Sequence, residues 1–244
     1  MLLSDSRAIM GGESVITLVG GTQSMLDAAF DLAAECERLW SRFLSDSELC
    51  RLNAAAGAVV NVSPLTVALV DAMVDGVSLT DGDFNPTLLP PVIELGYAAS
   101  LVEPTHSVSL PAGAQVFTDL GEVVLTSSTV QLPAGMTLDA GGIGKGFAAD
   151  LIVAAVMASG ARGVMVSRSG AVGVSGESPQ PGGWLLGVEN PFDESQNVEI
   201  VRLNEGAIVT SSQRKKRFGD AHHLIDPRTK KSVITSAQTV TVIA

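Results

Sequence analysis

Aromatic residues are scarce, at 4% of the 244 residues, with one tyrosine and two tryptophans. A core in this chain must therefore be built mainly from valine, leucine and alanine. Cysteine is nearly absent. Cys36 and Cys50 form no CxxC and no metal-ligand spacing, which excludes a disulfide framework and a cysteine-based zinc site. Basic residues are few, 15 against 26 acidic, for a net charge of −11. That excludes a nucleic-acid backbone or an anionic membrane as the main partner. Charged residues are only 17% against 46% hydrophobic, which excludes global disorder. Long apolar runs are missing too. Leu151–Ala158 is cut by Ser159, Gly160 and Arg162, far short of the roughly 20 residues of a membrane span. No charged stretch followed by an apolar run opens the chain, so no signal peptide and a cytoplasmic location are expected.

Glycine, by contrast, is plentiful, at 25 residues. Ile16–Val19 reads as a strand closed by Gly20-Gly21. Met25, Leu26, Ala29, Phe30, Ala33, Cys36, Leu39 and Trp40 then recur at helical spacing. A second helix is expected from Ser63 as N-cap and Pro64 at the first position, ending near Thr80-Asp81-Gly82. Residues 104–139 read as β-rich, with a hairpin about Ser127-Ser128 and a strand leading into Asp139. A helix over Ala148–Ala158 and short strands to Ile243 follow. One α+β domain over residues 1–244, with mixed or antiparallel sheets and flanking helices, is the expected architecture.

Three segments carry chemistry. The first is Asp139–Gly146, four glycines in six positions at the mouth of a helix. Such a loop lets backbone N–H groups approach an anion, and Lys145 supplies a cation for phosphate. It fits neither a Walker A loop nor a dinucleotide fingerprint. A plain tight turn is the alternative on glycine content alone. The second is His222-His223-Leu224-Ile225-Asp226-Pro227-Arg228-Thr229. Successive residues of an extended chain point to opposite sides, so one histidine at most faces a given site, as a candidate base. The third is Ser41-Arg42-Phe43 followed by Asp46–Asn53. An arginine beside an aromatic suits a planar, phosphate-bearing ligand, while Phe43 also continues the helix's apolar stripe. The run Arg214–Arg217 is a basic cluster in an acidic chain, read as a solvated patch or a neighbour to phosphates.

Taken in order, Met10-Gly11, Ser41-Arg42-Phe43, Asp46–Asn53, Ser63-Pro64, Thr80–Pro86, Gly96-Tyr97, Asp139–Asp150, Trp184–Pro191, Thr210-Ser211 and His223–Thr229 resemble the ApbE family of flavin transferases. The resemblance implies an enzyme that binds FAD with Mg²⁺ and transfers FMN to a Ser or Thr hydroxyl of a target flavoprotein, releasing AMP. The targets of that family carry an Asp-x-x-Thr/Ser-Gly-Ala-Thr segment. By position it implies FAD contacts at Met10, Phe43, Asp83, Phe84, Asn85, Asp139, Lys145 and Ile225, a metal-binding carbonyl at Gly142, and His223 as the base. Asn85 stands where the family usually has Asp, Ser212 and Lys230 where it has Gly, and Ser169-Gly170-Ala171 where it has Gly-Gly-Asp. Family members continue past Val-Thr-Val-Ile-Ala into an Asp/Thr segment that binds Mg²⁺. The sequence stops at Ala244, so a truncated chain or one lacking most of its metal ligands is expected. An FAD-binding protein impaired in catalysis, or an FAD pyrophosphatase giving FMN and AMP, are the alternative readings.

Overall fold

A computed structural model describes residues 1–244. Its elements begin with β1 (Leu2–Ile9), β2 (Gly12–Val19), α1 (Gln23–Trp40), α2 (Glu48–Ala54), β3 (Val59–Asn61), α3 (Pro64–Leu79) and α4 (Leu89–Glu94). Next come β4 (Val124–Leu125), β5 (Thr129–Gln131), a 3-10 turn at Ala140–Gly142, α5 (Gly144–Ala158), β6 (Gly163–Arg168), β7 (Ala171–Gly176) and β8 (Trp184–Asn190). The chain closes with β9 (Asp193–Leu203), β10 (Gly206–Ser212), β11 (Arg217–Phe218), β12 (Ala221–His222), β13 (Ile225–Asp226), β14 (Lys231–Ser232) and β15 (Thr239–Ile243). Every strand pairing is antiparallel, as an α+β architecture expects. No helix is long and apolar enough to cross a membrane. The residues divide into two compact units.

The first unit holds Met1–Glu35, Lys145–Arg214 and Thr235–Ala244. Its sheet runs β1-β2-β6-β7-β10-β15. Ile16 opposes Val166 and Leu18 opposes Val164, so all four point to one face. That face is covered by Leu26, Ala29, Phe30 and Ala33 of α1 and by Ala149, Ile152 and Val156 of α5. The other face packs Val19, Val174 and Ile208 against Trp184 and Leu186 of the β8–β9 hairpin. The core is thus aliphatic with two aromatic anchors, as the composition requires. The β1 strand has no apolar alternation to announce it; Ser4, Asp5 and Ser6 are solvent-exposed on the sheet's edge.

The second unit holds Cys36–Gly144 and Lys215–Ile234. Ser47 caps α2, its Oγ accepting the Cys50 N–H at 3.0 Å, and Ser63 caps α3 with Pro64 behind it. The buried Glu48 carboxylate accepts the Ser63 N–H at 2.9 Å and the Ser63 hydroxyl at 2.8 Å, pinning the start of α3 to α2. Two expectations fail here. Residues 104–123 hold only isolated bridges, Ala99 with Ser107 and Gln115 with Met136, because Pro104 and Pro111 lack donors and Gly113 turns at φ +78°. Nor does a strand lead into Asp139. The Asn53 side chain takes the place of a neighbouring strand, accepting the Leu138 N–H at 2.8 Å and donating to the Leu138 carbonyl at 2.9 Å.

Candidate functional site

That Asn53 clamp fixes the chain one residue before the glycine loop. The Asp139 N–H then donates to the Pro86 carbonyl at 2.8 Å, tying the loop to residues 83–87. Asp139 turns its Oδ1 onto its own loop, accepting the Gly141 N–H at 3.0 Å. The Arg42 Nε lies 3.8 Å from the same oxygen. Gly141 and Gly142 are exposed, and α5 starts at Gly144, four residues earlier than the sequence indicated. No acidic side chain occupies the first turn of α5, so its partly positive N-terminus is not neutralised locally. Lys145, half-buried, is its second residue.

The Phe84 loop is built by backbone curvature. Asp81 and Gly82 both adopt positive φ, at 50° and 81°, to end α3. The Thr80 hydroxyl donates back to the Gly76 carbonyl at 2.7 Å and accepts the Phe84 N–H at 2.9 Å. The Phe84 ring lies between Gly76 of α3 and Gly142 of the loop. A Cβ at Gly76 would come within 2.9 Å of the ring, and one at Gly142 within 3.1 Å. A side chain at Gly76 would force the aromatic to shift, and one at Gly142 would crowd it. Asn85 is buried and spends its amide internally, donating to the Phe117 carbonyl at 2.8 Å and accepting from Thr87 N–H and Oγ1 at 2.8 and 2.7 Å. Its place in the loop is therefore held by its own side chain. Asp83 is exposed and faces Arg228 at 3.5 Å.

Phe43 falls outside α1 and is half-buried, so it does not continue the helix's core stripe. It belongs to a stack. The Arg42 guanidinium sits 4.5 Å from the Phe43 ring centroid and 4.4 Å from that of Tyr97. Tyr97 in turn stacks on Phe218 at 5.4 Å with an interplanar angle of 17°. Arg42 is 6% exposed, and its Nη1 and Nη2 have no hydrogen-bond partner, leaving the rings and Asp139 to stabilise the charge. Phe218 gave no signal in sequence, because only the fold brings it to Tyr97.

The two histidines differ in burial. His222 is buried, and both ring nitrogens are committed. Nδ1 accepts the Leu224 N–H at 3.3 Å, and Nε2 meets the Val233 carbonyl at 3.0 Å, which assigns a neutral ring with its proton on Nε2. His223, in the bend that follows β12, is half-buried, as is Ile225 on β13. His106 is a partly exposed neighbour of Glu103, at 2.9 Å.

Met10 and Lys145 lie in the first unit, and the other candidate residues lie in the second. Met10 and Gly11 form the two-residue turn of the β1–β2 hairpin, both at positive φ, 56° and 73°. A methionine in the left-handed region costs about 1–2 kcal/mol, so this turn is strained.

The residues present offer magnesium no all-protein cage. No group of three His, Cys, Asp or Glu converges anywhere in the structure. The Gly142 carbonyl alone is a poor holder for an ion that prefers carboxylate oxygens in an octahedral shell.

The sequence matches the ApbE family over residues 10–244. It is 31% identical over 240 residues to a protein of Treponema pallidum named FAD:protein FMN transferase, covering 90% of this chain and 66% of that one. A protein of the same name from Klebsiella pneumoniae is 26% identical over 256 residues, covering 99% and 77%. Among solved structures, the ApbE protein of Thermotoga maritima superposes with a TM-score of 0.84 at 21% identity, covering all of this chain and 82% of that one. A histidine-to-glycine mutant of the Vibrio cholerae flavin transferase ApbE superposes at 0.80 and 20% identity, again covering all of this chain and 82% of the other. The match to the family and the shared fold agree with the ordered motifs: the chain belongs to the ApbE family.

Proposed function

We propose that this protein is an FAD:protein FMN transferase. A Ser or Thr hydroxyl of a target flavoprotein attacks the phosphorus of the FMN half of FAD. A P–O bond to the target forms, the P–O–P bridge breaks, and AMP leaves with the bridging oxygen. The target hydroxyl's proton passes to His223. Lys145 and the N–H groups of the glycine loop offset phosphate charge, and positioning and charge neutralisation carry most of such a transfer. Met10, Phe43, Phe84 and Ile225 supply apolar surface for the flavin, with the loops of Asp83, Asn85 and Asp139 around it. The relatives' names support the reaction class.

The observation that bears on the base assignment is the commitment of both His222 ring nitrogens to the Leu224 and Val233 backbone, and the resemblance carries the base to His223, ahead of Ile225-Asp226-Pro227. His223→Ala is expected to slow single-turnover transfer about 100-fold or more with FAD affinity changed less than threefold, since general-base loss costs on that order. An unchanged rate would remove His223 from the chemistry. AMP released at the same rate with no acceptor present would instead identify a pyrophosphatase, with water as nucleophile.

A further inference from the structure

The basic residues of this acidic chain are unevenly placed. Six of fifteen Lys and Arg fall within residues 215–231, a span whose acidic residues are Asp220 and Asp226. That surplus of four leaves the rest of the chain at −15. Two short hairpins, β11–β12 and β13–β14, carry it, and His223 lies in the connection between them. Lys215, Arg217, Arg228, Lys230 and Lys231 are exposed.

The second hairpin is laced to the histidine segment. The Ser232 hydroxyl donates to the His222 carbonyl at 2.7 Å and accepts the His222 N–H at 3.0 Å, and the Val233 N–H donates to the Leu224 carbonyl at 2.9 Å. Lys231 is therefore held at a fixed place relative to the backbone of His223. Two lysines of this segment also occupy strained backbone, Lys216 at φ 50° and Lys230 at φ 58°. Glycine would sit there freely, and strain of this kind concentrates where a side chain is needed. Arg228 is engaged by Asp83 at 3.5 Å and Asp226 at 3.4 Å, which leaves Lys230 and Lys231 with no carboxylate partner.

We propose that this double hairpin docks an acidic stretch of the acceptor protein, with Lys230 and Lys231 steering it toward His223. The inference rests on the transferase reading. A polypeptide fits better than the dinucleotide itself, because cations spread over two hairpins exceed what one diphosphate can engage. The strongly acidic remainder repels an acidic segment elsewhere and so restricts it to this face.

The test uses two fluorescent peptides built on Asp-x-x-Thr-Gly-Ala-Thr, one flanked by four glutamates and one by four serines, each with alanine in place of the acceptor threonine. Binding to the FAD-loaded protein is read by anisotropy. The glutamate peptide should bind about tenfold tighter at low salt and lose that advantage near 0.3 M salt. Lys230→Gly with Lys231→Ser should cut the advantage to about twofold with FAD affinity unchanged. Lys230→Gly alone should raise Tm while weakening peptide binding, an outcome that misfolding cannot produce. Equal binding of the two peptides at low salt would overturn the proposal. A parallel loss of FAD affinity would also overturn it, by assigning the lysines to the dinucleotide. Because anisotropy needs no chemistry, tight docking with no transfer to a threonine-bearing peptide would sink the transferase reading alone.

Discussion

Asn53 holds Leu138 by both backbone groups, at 2.8 Å to its N–H and 2.9 Å from its carbonyl. The two residues are 85 apart in sequence, and the next residue, Asp139, opens the glycine loop. Replacing Asn53 with alanine leaves two buried backbone groups unpaired, at roughly 1–3 kcal/mol each. Chemical denaturation of Asn53→Ala should therefore show a loss of about 2–6 kcal/mol. FAD binding should weaken as well, since the loop loses its anchor. Unchanged FAD affinity in a folded variant would separate Asn53 from the site.

The packing of Phe84 against Gly76 and Gly142 predicts a change of sign. Gly76→Ala in the parent places a Cβ 2.9 Å from the ring and should destabilise by about 1–3 kcal/mol through overpacking. In a Phe84→Ala background the clash is gone, and the same substitution should stabilise by up to about 1 kcal/mol through helix propensity. Thermal melts of the four proteins in this cycle decide it. A destabilisation of equal size in both backgrounds would mean that Phe84 is not what excludes a side chain at Gly76.

Glu48 predicts a pH dependence. Burial alone would raise its carboxyl, but bonds from Thr66 and Ser63 and the charge of Arg51 outweigh burial and hold it below the ordinary value of 4.5. A lowered folded value stabilises the protein above the unfolded value, and that stability is lost as pH falls through the folded one. Glu48→Gln should therefore cost about 1–2 kcal/mol at pH 7, and the gap to the parent should shrink on acidification below about pH 4.5. Urea denaturation at pH 7 and pH 3 measures both. A gap that stays constant would contradict the assignment.

Lys145 is expected to meet the FAD diphosphate. Lys145→Ala should weaken FAD binding about tenfold, the equivalent of 1.4 kcal/mol for one lost charge-assisted contact. Fluorescence titration with FAD reads this directly, and an unchanged affinity would remove Lys145 from the phosphate site.

The helices were legible wherever local signals agreed. Ser63-Pro64 capped α3 as read, and the stripe from Leu26 to Trp40 lay buried along α1. The short strands expected up to Ile243 are present as β6–β10 and β15, while β11–β14 gave no signal in sequence. The failures outside the Pro-rich stretch of residues 104–123 share one cause, which is that long-range partners decide conformation. Leu138 is no strand because Asn53 satisfies it, and Phe43 is not core because Arg42 and Tyr97 receive it. Asp46–Asn53 was recognisable as a motif, but the separate duties of Ser47, Glu48 and Asn53 emerged only from their distant partners. Candidate residues were readable from the resemblance, while the stack ending in Phe218 required the fold.

The most direct measurement is the mass of an acceptor peptide. The protein is incubated with FAD, Mg²⁺ and a peptide carrying Asp-x-x-Thr-Gly-Ala-Thr, and the peptide is then weighed. A transferase adds one FMN per peptide and releases an equal amount of AMP. An unmodified peptide, with FAD intact or with AMP appearing regardless, would contradict FMN transfer by this chain.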